Sequence, residues 1–156
     1  MNKVHYSSER IDWETPDDFF SALHAEFDFA LDVCAHAGNH KTPRYFSPED
    51  DGLAQTWRGR CWMNPPYGRG ISAWIKKAHD SSREQAATVV CLVPARTDTR
   101  WWHEYVMRSA EVRFVKGRIK FVGATAGAPF PVAIVIFRFG FAKPNFYTYV
   151  LASARP

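Results

Sequence analysis

The sequence lacks any apolar run that approaches the about 20 residues required by a membrane-spanning helix. Residues 1–10 are polar and contain no signal-peptide core. Cysteine is also scarce, because only Cys34, Cys61 and Cys91 are present, in or beside apolar segments and without paired spacing. Such an odd set argues against a disulfide framework and indicates a reducing compartment. These absences predict a soluble cytoplasmic protein without a membrane partner.

A strong charge of either sign is missing as well. Twenty Lys and Arg residues against 16 Asp and Glu residues give a formal net charge of +4. This excess permits a polyanionic partner but does not establish one. With 46% hydrophobic residues the chain can build a core. No repeat, low-complexity tract or linker divides it, so one domain over residues 1–156 is expected.

No metal-binding pattern is present in the sequence. Cys34, His36 and His40 lie close together, but their spacing does not match structural zinc sites and no second Cys/His pair follows. Loop histidines are usually solvated, so no metal site is predicted. Aromatic residues, in contrast, make up 15% of the chain. Most are expected in the core, and some could stack on bases.

Helical patterns occur in three places. Thr15 can cap a first helix near residues 16–25, with Pro16 in its first position and acidic residues in its first turn. From Ile71 onward, apolar residues at i, i+3, i+4 and i+7 predict a second, amphipathic helix. A third helical pattern begins at Trp101.

Strand patterns alternate with these helices. The expected strands cover residues 27–33, 60–63, 87–93, 111–115, 119–121, 132–139 and 146–151. A continuously apolar run such as 87–93 is typical of a strand buried on both faces. The alternation predicts a three-layer αβα domain with a mainly parallel sheet, to which the late strands add an antiparallel edge.

The loop Asn64-Pro65-Pro66-Tyr67 is the most informative segment. It lies between a predicted strand and a predicted helix, where open α/β sheets bind ligands. The amino nitrogen of adenine is a poor nucleophile, because its lone pair is delocalised into the ring. The Asn64 side-chain oxygen and the Pro65 carbonyl could accept its two hydrogens and expose the lone pair, while proline holds the carbonyls in place. Tyr67 offers a ring for stacking a flipped base.

Such a site needs only positioning for an in-line methyl transfer from a sulfonium donor, without a metal or a covalent enzyme intermediate. The structural alternative is a rigid proline turn that joins a strand to a helix.

Several further motifs accompany this loop. They are Trp13-x-Thr15-Pro16-x-x-Phe19-Phe20, Leu31-Asp32-Val33-Cys34-Ala35 with Asn39, Asp51-Gly52-Leu53 with Trp57, Trp62 before Asn64, Leu92 to Thr99 with Trp101-Trp102-His103, and Gly117 to Phe121 with Ala128-Pro129. Together they span residues 13–138 and resemble the phage-type DNA N6-adenine methyltransferases, the short Dam-like family.

The resemblance implies a compact Rossmann-like fold, S-adenosylmethionine as methyl donor and a flipped adenine of double-stranded DNA as acceptor. Asp32 is then expected at the end of the first strand, with Cys34 and Ala35 lining the donor pocket. Thr15 and Pro16 are expected near the methionine part of the donor. A phage or prophage origin and a bacterial host cytoplasm also follow from the resemblance.

The sequence departs from the wider methyltransferase pattern in its donor region. Gly38 stands alone there instead of a Gly-x-Gly turn, and only 32 residues separate Asp32 from Asn64. A compact donor site is implied, with Asp50 or Asp51 as candidates for the ribose contact. No separate target-recognition domain fits in the chain, so sequence selectivity is expected to be loose.

Cationic and polar residues after the strands are candidates for DNA contact. Arg96, Thr97 and Asp98, with Arg100, follow the buried strand 87–93, and the alternative is that they cap a loop. Arg69 follows the Asn-Pro-Pro-Tyr loop directly. Two further candidates, Arg118 and Lys120, could instead point outward from a half-buried strand.

Four other functions stay open at this stage. A protein glutamine amide also presents an NH2 group to an Asn-Pro-Pro-Tyr loop, and so do cytosine N4 and RNA adenine. The short donor region is also compatible with a catalytically inactive DNA-binding module. The recognised DNA sequence and the oligomeric state do not follow from the residues.

Overall fold

The computed structural model describes residues 12–141 and 143–151, so the polar stretch 1–10 lies outside the described residues. The strands are β1 (Leu31–Asp32), β2 (Arg60–Met63), β3 (Thr88–Pro94), β4 (Ala110–Lys116), β5 (Val132–Phe137) and β6 (Asn145–Val150). The α-helices are α1 (Asp17–Phe27), α2 (Ile71–Glu84) and α3 (Met107–Ser109). Within the described ranges, no helix is long and apolar enough to cross a bilayer.

Helix α1 forms where the acidic first turn and the aromatic spacing predict it. Its apolar face is fully used, since Phe19, Phe20, Leu23 and Phe27 are buried. The expected cap is wrong, however. Pro16 occupies the N-cap position, and no side chain caps the helix. The Thr15 hydroxyl is engaged elsewhere, with the side chain of Asn64.

The end of α1 corrects the predicted strand 27–33. Asp28 ends the helix in the left-handed region, with φ at 52°, and its N–H donates to the His24 carbonyl. Arg60 holds this turn through hydrogen bonds to the Asp28 carbonyl and carboxylate. Only Leu31 and Asp32 remain for β1. The strand is short because residues 28–30 form the turn that reverses the chain between α1 and β1.

The central segment agrees with the sequence pattern. Strand β2 covers the predicted residues 60–63, and α2 begins at Ile71 as its spacing predicts. From Val89 onward every residue of β3 is buried. Strand β2 pairs in parallel with β1 on one side and with β3 on the other. The carboxyl ends of β1, β2 and β3 therefore meet at one edge of the sheet.

The third helical pattern is confirmed, but its geometry is irregular. Residues 102–106 form a π-helical turn, which continues into α3. Strand β4 follows directly. The expected strand 119–121 is not formed, because those residues belong to an irregular loop between β4 and β5. Strand β5 is two residues shorter than predicted, and β6 is the predicted last strand at the edge of the sheet.

The strand order is β1-β2-β3-β5-β4-β6. Pairing is parallel except where β5 lies between β3 and β4, antiparallel to both. The mainly parallel sheet is thus confirmed. Its antiparallel strand lies inside the sheet, while the edge strand β6 pairs in parallel with β4. Strand β5 returns from β4 through a loop without a crossover helix, so it must run in the opposite direction.

Helices cover both faces of the sheet. On one face, the Phe20 ring of α1 lies 5.4 Å from the Trp62 ring of β2. On the other face, His79 of α2 lies 5.9 Å from Phe137 of β5. The π-turn covers that face further, with Trp102 6.4 Å from Phe114 of β4. The three-layer αβα architecture follows. Each fully buried apolar side chain in it contributes about 1.5–3 kcal/mol.

The connection from β1 to β2 packs tightly against the end of β1. A Cβ added to Gly52 would lie 2.4 Å from the Val33 carbonyl oxygen and 3.2 Å from the Trp74 ring. The Gly52 carbonyl also accepts a 2.8 Å hydrogen bond from the buried indole of Trp57. Gly52 therefore lets this loop, which contains two short 3-10 turns (Pro48–Asp50 and Gly52–Ala54), close over the strand end.

We expect Gly52→Ala to destabilise the protein by about 1–3 kcal/mol, because the added methyl group overlaps a backbone atom. Gly70→Ala is the matched control, since nothing lies within 4 Å of a Cβ added there. Urea unfolding followed by tryptophan fluorescence measures both free energies. Equal stability of the two variants would contradict this account of the loop.

Candidate active site

Two loops meet at the carboxyl ends of β1 and β2. Residues 33–35 leave β1, and Asn64 to Tyr67 leave β2. A 3.0 Å hydrogen bond from the Val33 N–H to the Trp62 carbonyl keeps the two loops adjacent. The Asn-Pro-Pro-Tyr loop therefore lies at the edge where open α/β sheets hold ligands, as its strand-to-helix context predicts.

The orientation of the Asn64 amide is determined by its neighbours. Its Nδ2 donates to the Trp13 carbonyl at 2.5 Å and to the Thr15 hydroxyl at 2.9 Å. A carbonyl can only accept, so the side-chain nitrogen must face Trp13. The Asn64 oxygen is thereby turned away from this pair. Trp13 and Thr15, which precede Asn64 by 51 and 49 positions in the chain, therefore set its orientation.

The Asn64 Oδ1 atom is buried and accepts no hydrogen bond from the described residues. An unpartnered buried acceptor is costly, by about 1–3 kcal/mol, and calls for an explanation. Asn64 borders a cavity of about 20 Å³, shared with Thr15, Asp32 and Trp62. This volume has room for about one water molecule but not for a purine. A base can reach the oxygen only after the lining moves.

The two prolines complete the loop. Pro65 is buried, and its carbonyl accepts no hydrogen bond from the described residues, whereas the Tyr67 carbonyl accepts one from Arg96 at 3.2 Å. Proline fixes φ and donates nothing, so the carbonyl direction is held. Besides the Asn64 oxygen, the loop thus offers prolyl carbonyls without a hydrogen bond among the described residues, and that of Pro65 stays the predicted second acceptor.

Tyr67 differs from the expectation of an exposed ring. Its side chain is only 4% exposed, and its ring packs at 6.1 Å from Phe121 and 5.7 Å from Phe130. Its hydroxyl donates to the Leu92 carbonyl at 2.9 Å. Burial raises the pKa of Tyr67 well above its usual value, so the hydroxyl keeps its proton. Tyr67 anchors the loop to β3. Stacking on a base stays a prediction, which requires the neighbouring rings to move.

Asp32 is buried at the end of β1. Its two carboxylate oxygens accept the backbone N–H groups of Cys34 at 3.3 Å and Lys41 at 3.0 Å. Burial raises the pKa of Asp32 to about 6, against these hydrogen bonds, which lower it. Asp32 therefore shapes the loop that follows β1 and brings a negative charge to the small cavity beside Asn64.

Two adjoining cavities of about 200 Å³ each form a cleft beside the loop. Cys34, Ala35 and Pro66 line both of them. Cys34 and Ala35 are the residues expected to line a donor pocket, and their contact with a donor stays a prediction. The remaining walls are largely apolar or aromatic, and they include Trp13, Phe46, Pro48, Pro65 and Trp74. Burial raises the pKa of Cys34 to about 12, so its thiol stays protonated and acts as an apolar wall.

The structure separates the two candidates for a ribose contact. The Asp50 carboxylate is engaged in a capping box with the Ser47 N–H and hydroxyl. Asp51 lines the cleft beside Gly52 and has no side-chain hydrogen bond among the described residues. Its φ of 52° lies in the left-handed region, an unusual conformation that is often found at functional positions. Asp51 is therefore the available carboxylate.

The other predicted site residues fall into different places. Pro16 and Lys120 line a separate cavity beside α1, away from the cleft. Thr15 holds Asn64 instead of lining the larger cavities. Arg69 and Arg96 line a broad groove on the far side of the Asn-Pro-Pro-Tyr loop.

Three predicted substrate contacts do not lie in that groove. Thr97, Asp98 and Arg118 are exposed and line none of these cavities. Their contact with a substrate stays a prediction. The described residues contain no cluster of three or more His, Cys, Asp or Glu side chains able to hold a metal ion.

Two contributors were not singled out by sequence reasoning. The Trp13 carbonyl orients Asn64, and no side-chain pattern reports on a backbone acceptor. Gly52 was read only as part of a family motif, although its position before a buried Trp57 was a usable signal for a close backbone approach.

The stability of the protein should depend on the titration of Asp32. The folded-state pKa of about 6 exceeds the ordinary value of 3.8, so the folded state binds more protons between those values. The free energy of unfolding should fall as pH rises through this window, by up to about 3 kcal/mol. Asp32→Asn should remove this fall, whereas exposed Asp98→Asn should retain it. Urea unfolding at a series of pH values measures the slopes, and an unchanged slope in Asp32→Asn would refute the assignment.

Comparisons with known proteins agree with this geometry. Residues 4–144 match the family described as DNA N-6-adenine-methyltransferase (Dam). A DNA N-6-adenine-methyltransferase of Haemophilus phage HP1 is 33% identical over 119 residues, which cover 74% of this chain and 68% of the relative. A protein of the same name from Escherichia phage T1 is 28% identical over 107 residues, or 67% of this chain and 44% of that protein.

A solved structure shares the fold. The modification subunit of a putative type I restriction enzyme from Vibrio vulnificus YJ016 matches 96% of this chain with a TM-score of 0.57 and 10% identity. The chain spans 49% of that subunit, so the likeness concerns the fold alone. The family match reaches further, because residues 4–144 include both the loop after β2 and the segments that orient it. On this basis, the chain belongs to the DNA N-6-adenine-methyltransferase (Dam) family.

Proposed function

We propose that this protein transfers a methyl group from S-adenosylmethionine to the N6 amino group of adenine in DNA. The observation that carries the proposal is the buried, unpartnered Asn64 Oδ1, held in one orientation by Trp13 and Thr15. An acceptor maintained without a partner suits a ligand that brings an N–H donor. The amino group of adenine is such a donor, and family membership points to it.

The loop after β2 supplies the chemistry of positioning. The Asn64 oxygen and the Pro65 carbonyl accept the two amino hydrogens of the base. Accepting both hydrogens favours a pyramidal nitrogen, whose lone pair is then free to attack. Oxygen dipoles aimed at the nitrogen also stabilise the positive charge that develops there. The surplus proton leaves to solvent after transfer, so no buried general base is needed.

The cleft beside the loop fits the donor. When bound, S-adenosylmethionine supplies an electrophilic methyl group on a positively charged sulfur. The apolar walls around Ala35 and Pro66 suit a nucleoside, and the Asp51 carboxylate is free to accept the ribose hydroxyls. Asp32 lies at the opposite end, beside Asn64, where its negative charge favours a cationic group. These roles arrange the donor along the cleft with its reactive end towards Asn64.

The cellular setting follows from the same chemistry. All three cysteines are free, and Cys61 and Cys91 are buried. Reduced thiols and a DNA substrate are compatible with work in a bacterial cytoplasm, as proposed from the sequence.

The test of the proposed function is methyl transfer by wild-type and Asn64→Ala protein. Wild-type protein should transfer label from S-adenosylmethionine to unmethylated plasmid, and nucleoside mass spectrometry should find N6-methyladenine. Loss of one acceptor should lower kcat by about 10²–10³-fold while donor affinity, measured by calorimetry, stays near wild type. Exposed Asn145→Ala is the control.

The same experiment tests the alternative methyl acceptors. Label in cytosine, in RNA or in a glutamine-containing peptide, with none in DNA adenine, would replace the proposed acceptor. Wild-type protein that binds DNA but no donor would be the inactive binding module.

Thr15→Val should impair catalysis without impairing donor binding. The substitution removes one of the two acceptors that hold the Asn64 amide, so the oxygen loses its fixed direction. We expect kcat to fall about tenfold, equivalent to roughly 1.4 kcal/mol of lost orientation. Thr15→Ser should restore it. Donor affinity that falls in step with kcat would instead support the direct donor contact expected from the sequence.

A further inference from the structure

A broad open cavity lies on the opposite side of the Asn-Pro-Pro-Tyr loop from the donor cleft. We call it the helix groove. It runs between the start of α2 and the helical segment 100–109, and its volume is about 600 Å³. Gly68 and Arg69 form its near end, so it opens directly beside Tyr67. Its lining includes Lys76, Arg96, Arg100, Glu104 and Tyr105.

The helix groove is strongly cationic. Arg69, Lys76, Arg96 and Arg100 line it together with a single carboxylate, that of Glu104. Its lining therefore carries three positive charges in excess, against +4 for the entire chain. The rest of the molecule is close to neutral. Charge of one sign gathered along one open groove attracts a polyanion far more strongly than the same charge dispersed.

Two of these cations form ion pairs at the surface but can still bind another anion. Lys76 pairs with Asp80, and Arg100 pairs with Glu104, each within one helical turn. The side chains of Lys76 and Arg100 remain 59% and 87% exposed. Exposed pairs of this kind contribute about 0–1 kcal/mol, so exchanging the carboxylate for another anion costs little. Arg69 is exposed and has no ion pair among the described residues.

Arg96 connects the helix groove to the reaction centre. Its guanidinium donates to the Tyr67 carbonyl at 3.2 Å, and its other N–H groups have no partner among the described residues. An anion bound by Arg96 would therefore lie beside Tyr67, the last residue of the loop that carries the acceptor oxygens. The half-buried ring of Tyr105 adds apolar surface to the wall, which suits the sugar part of a nucleotide chain.

We propose that the helix groove binds the phosphate backbone of the DNA substrate and seats it beside the catalytic loop. The inference rests on the proposed function for the identity of the polyanion. An open groove with cations spread over two helices suits a chain of phosphates, whereas a single phosphate would require donors that converge in a closed pocket. Backbone contacts position a strand without reading its sequence, so target selectivity must come from elsewhere.

The proposal is tested with two charge-matched double variants. Arg69→Ala/Arg100→Ala removes two groove cations. Arg83→Ala/Arg108→Ala removes two exposed arginines from α2 and from the segment 100–109, outside the groove. Fluorescence anisotropy with a labelled DNA duplex, without donor, gives Kd between about 50 and about 200 mM salt. Thermal unfolding verifies that both variants fold.

Each lost phosphate contact should reduce the slope of log K against log salt by about 0.9. The groove variant should therefore lose about 1.8 from the slope and weaken binding by about 10- to 60-fold at 0.1 M salt. The control should lose little of either. Equal weakening of both variants, or a groove-dependent affinity that is higher for an RNA duplex than for DNA, would overturn the proposal.

The outcome is separable from that of the proposed function. Groove-dependent DNA binding by a protein that transfers no methyl group would retain this inference and remove the enzyme assignment. Methyl transfer to adenine with equal weakening of the two double variants would do the reverse.

Discussion

The hydrogen bonds that hold the Asn64 amide are the constraint on which the site depends. Trp13 and Thr15 occupy its nitrogen and leave its oxygen buried and unpaired. A buried acceptor without a partner costs free energy that a freely rotating side chain would avoid. The fold sustains that cost at the end of β2, in the residue that directly precedes Pro65. An acceptor that is oriented beforehand need not reorganise when the substrate arrives, and such preorganisation is a main source of catalysis.

The sheet is small at the site, because β1 is very short and, in the described part of the chain, no further strand lies between β1 and β2. Strand β1 has two residues and serves mainly to bring Asp32 and the loop after it against β2. The chain then returns to β2 without a further strand in the sheet, because Gly52 allows the loop to close on the Val33 carbonyl. This closure places Asp51 in the donor cleft. A short chain can thus present a nucleoside-sized cleft through close backbone packing and two short 3-10 turns rather than through additional strands or α-helices.

Charge is divided between the two sides of the Asn-Pro-Pro-Tyr loop. The donor side combines apolar walls with the carboxylates of Asp32 and Asp51, which suits a nucleoside joined to a cationic sulfur. The helix groove, on the other side, collects most of the net positive charge. In the proposed arrangement, opposite potentials on the two sides would keep a phosphate chain away from the donor cleft and a cationic donor away from the groove. The loop between them is where the two ligands must meet.

Local residue patterns were sufficient for several elements and for the loop that is proposed to carry the chemistry. The periodicity from Ile71, the apolar run of β3 and the Asn-Pro-Pro-Tyr segment depend on neighbours in the chain, so one sequence reveals them. The mainly parallel sheet followed from the alternation of helices and strands. Three features depended on contacts between residues distant in sequence. They are the antiparallel direction of β5 inside the sheet, the place of Phe27 in α1 instead of the predicted strand, and the burial of Tyr67. The choice of Asp51 over Asp50 also depended on the structure, because only the tertiary structure shows which carboxylate is already engaged.

What the sequence alone determined is which groups are present in the site. The tertiary structure decided which way they point, because orientation is set by partners such as the Trp13 carbonyl, which lies 51 residues away from Asn64 and has no side-chain signature.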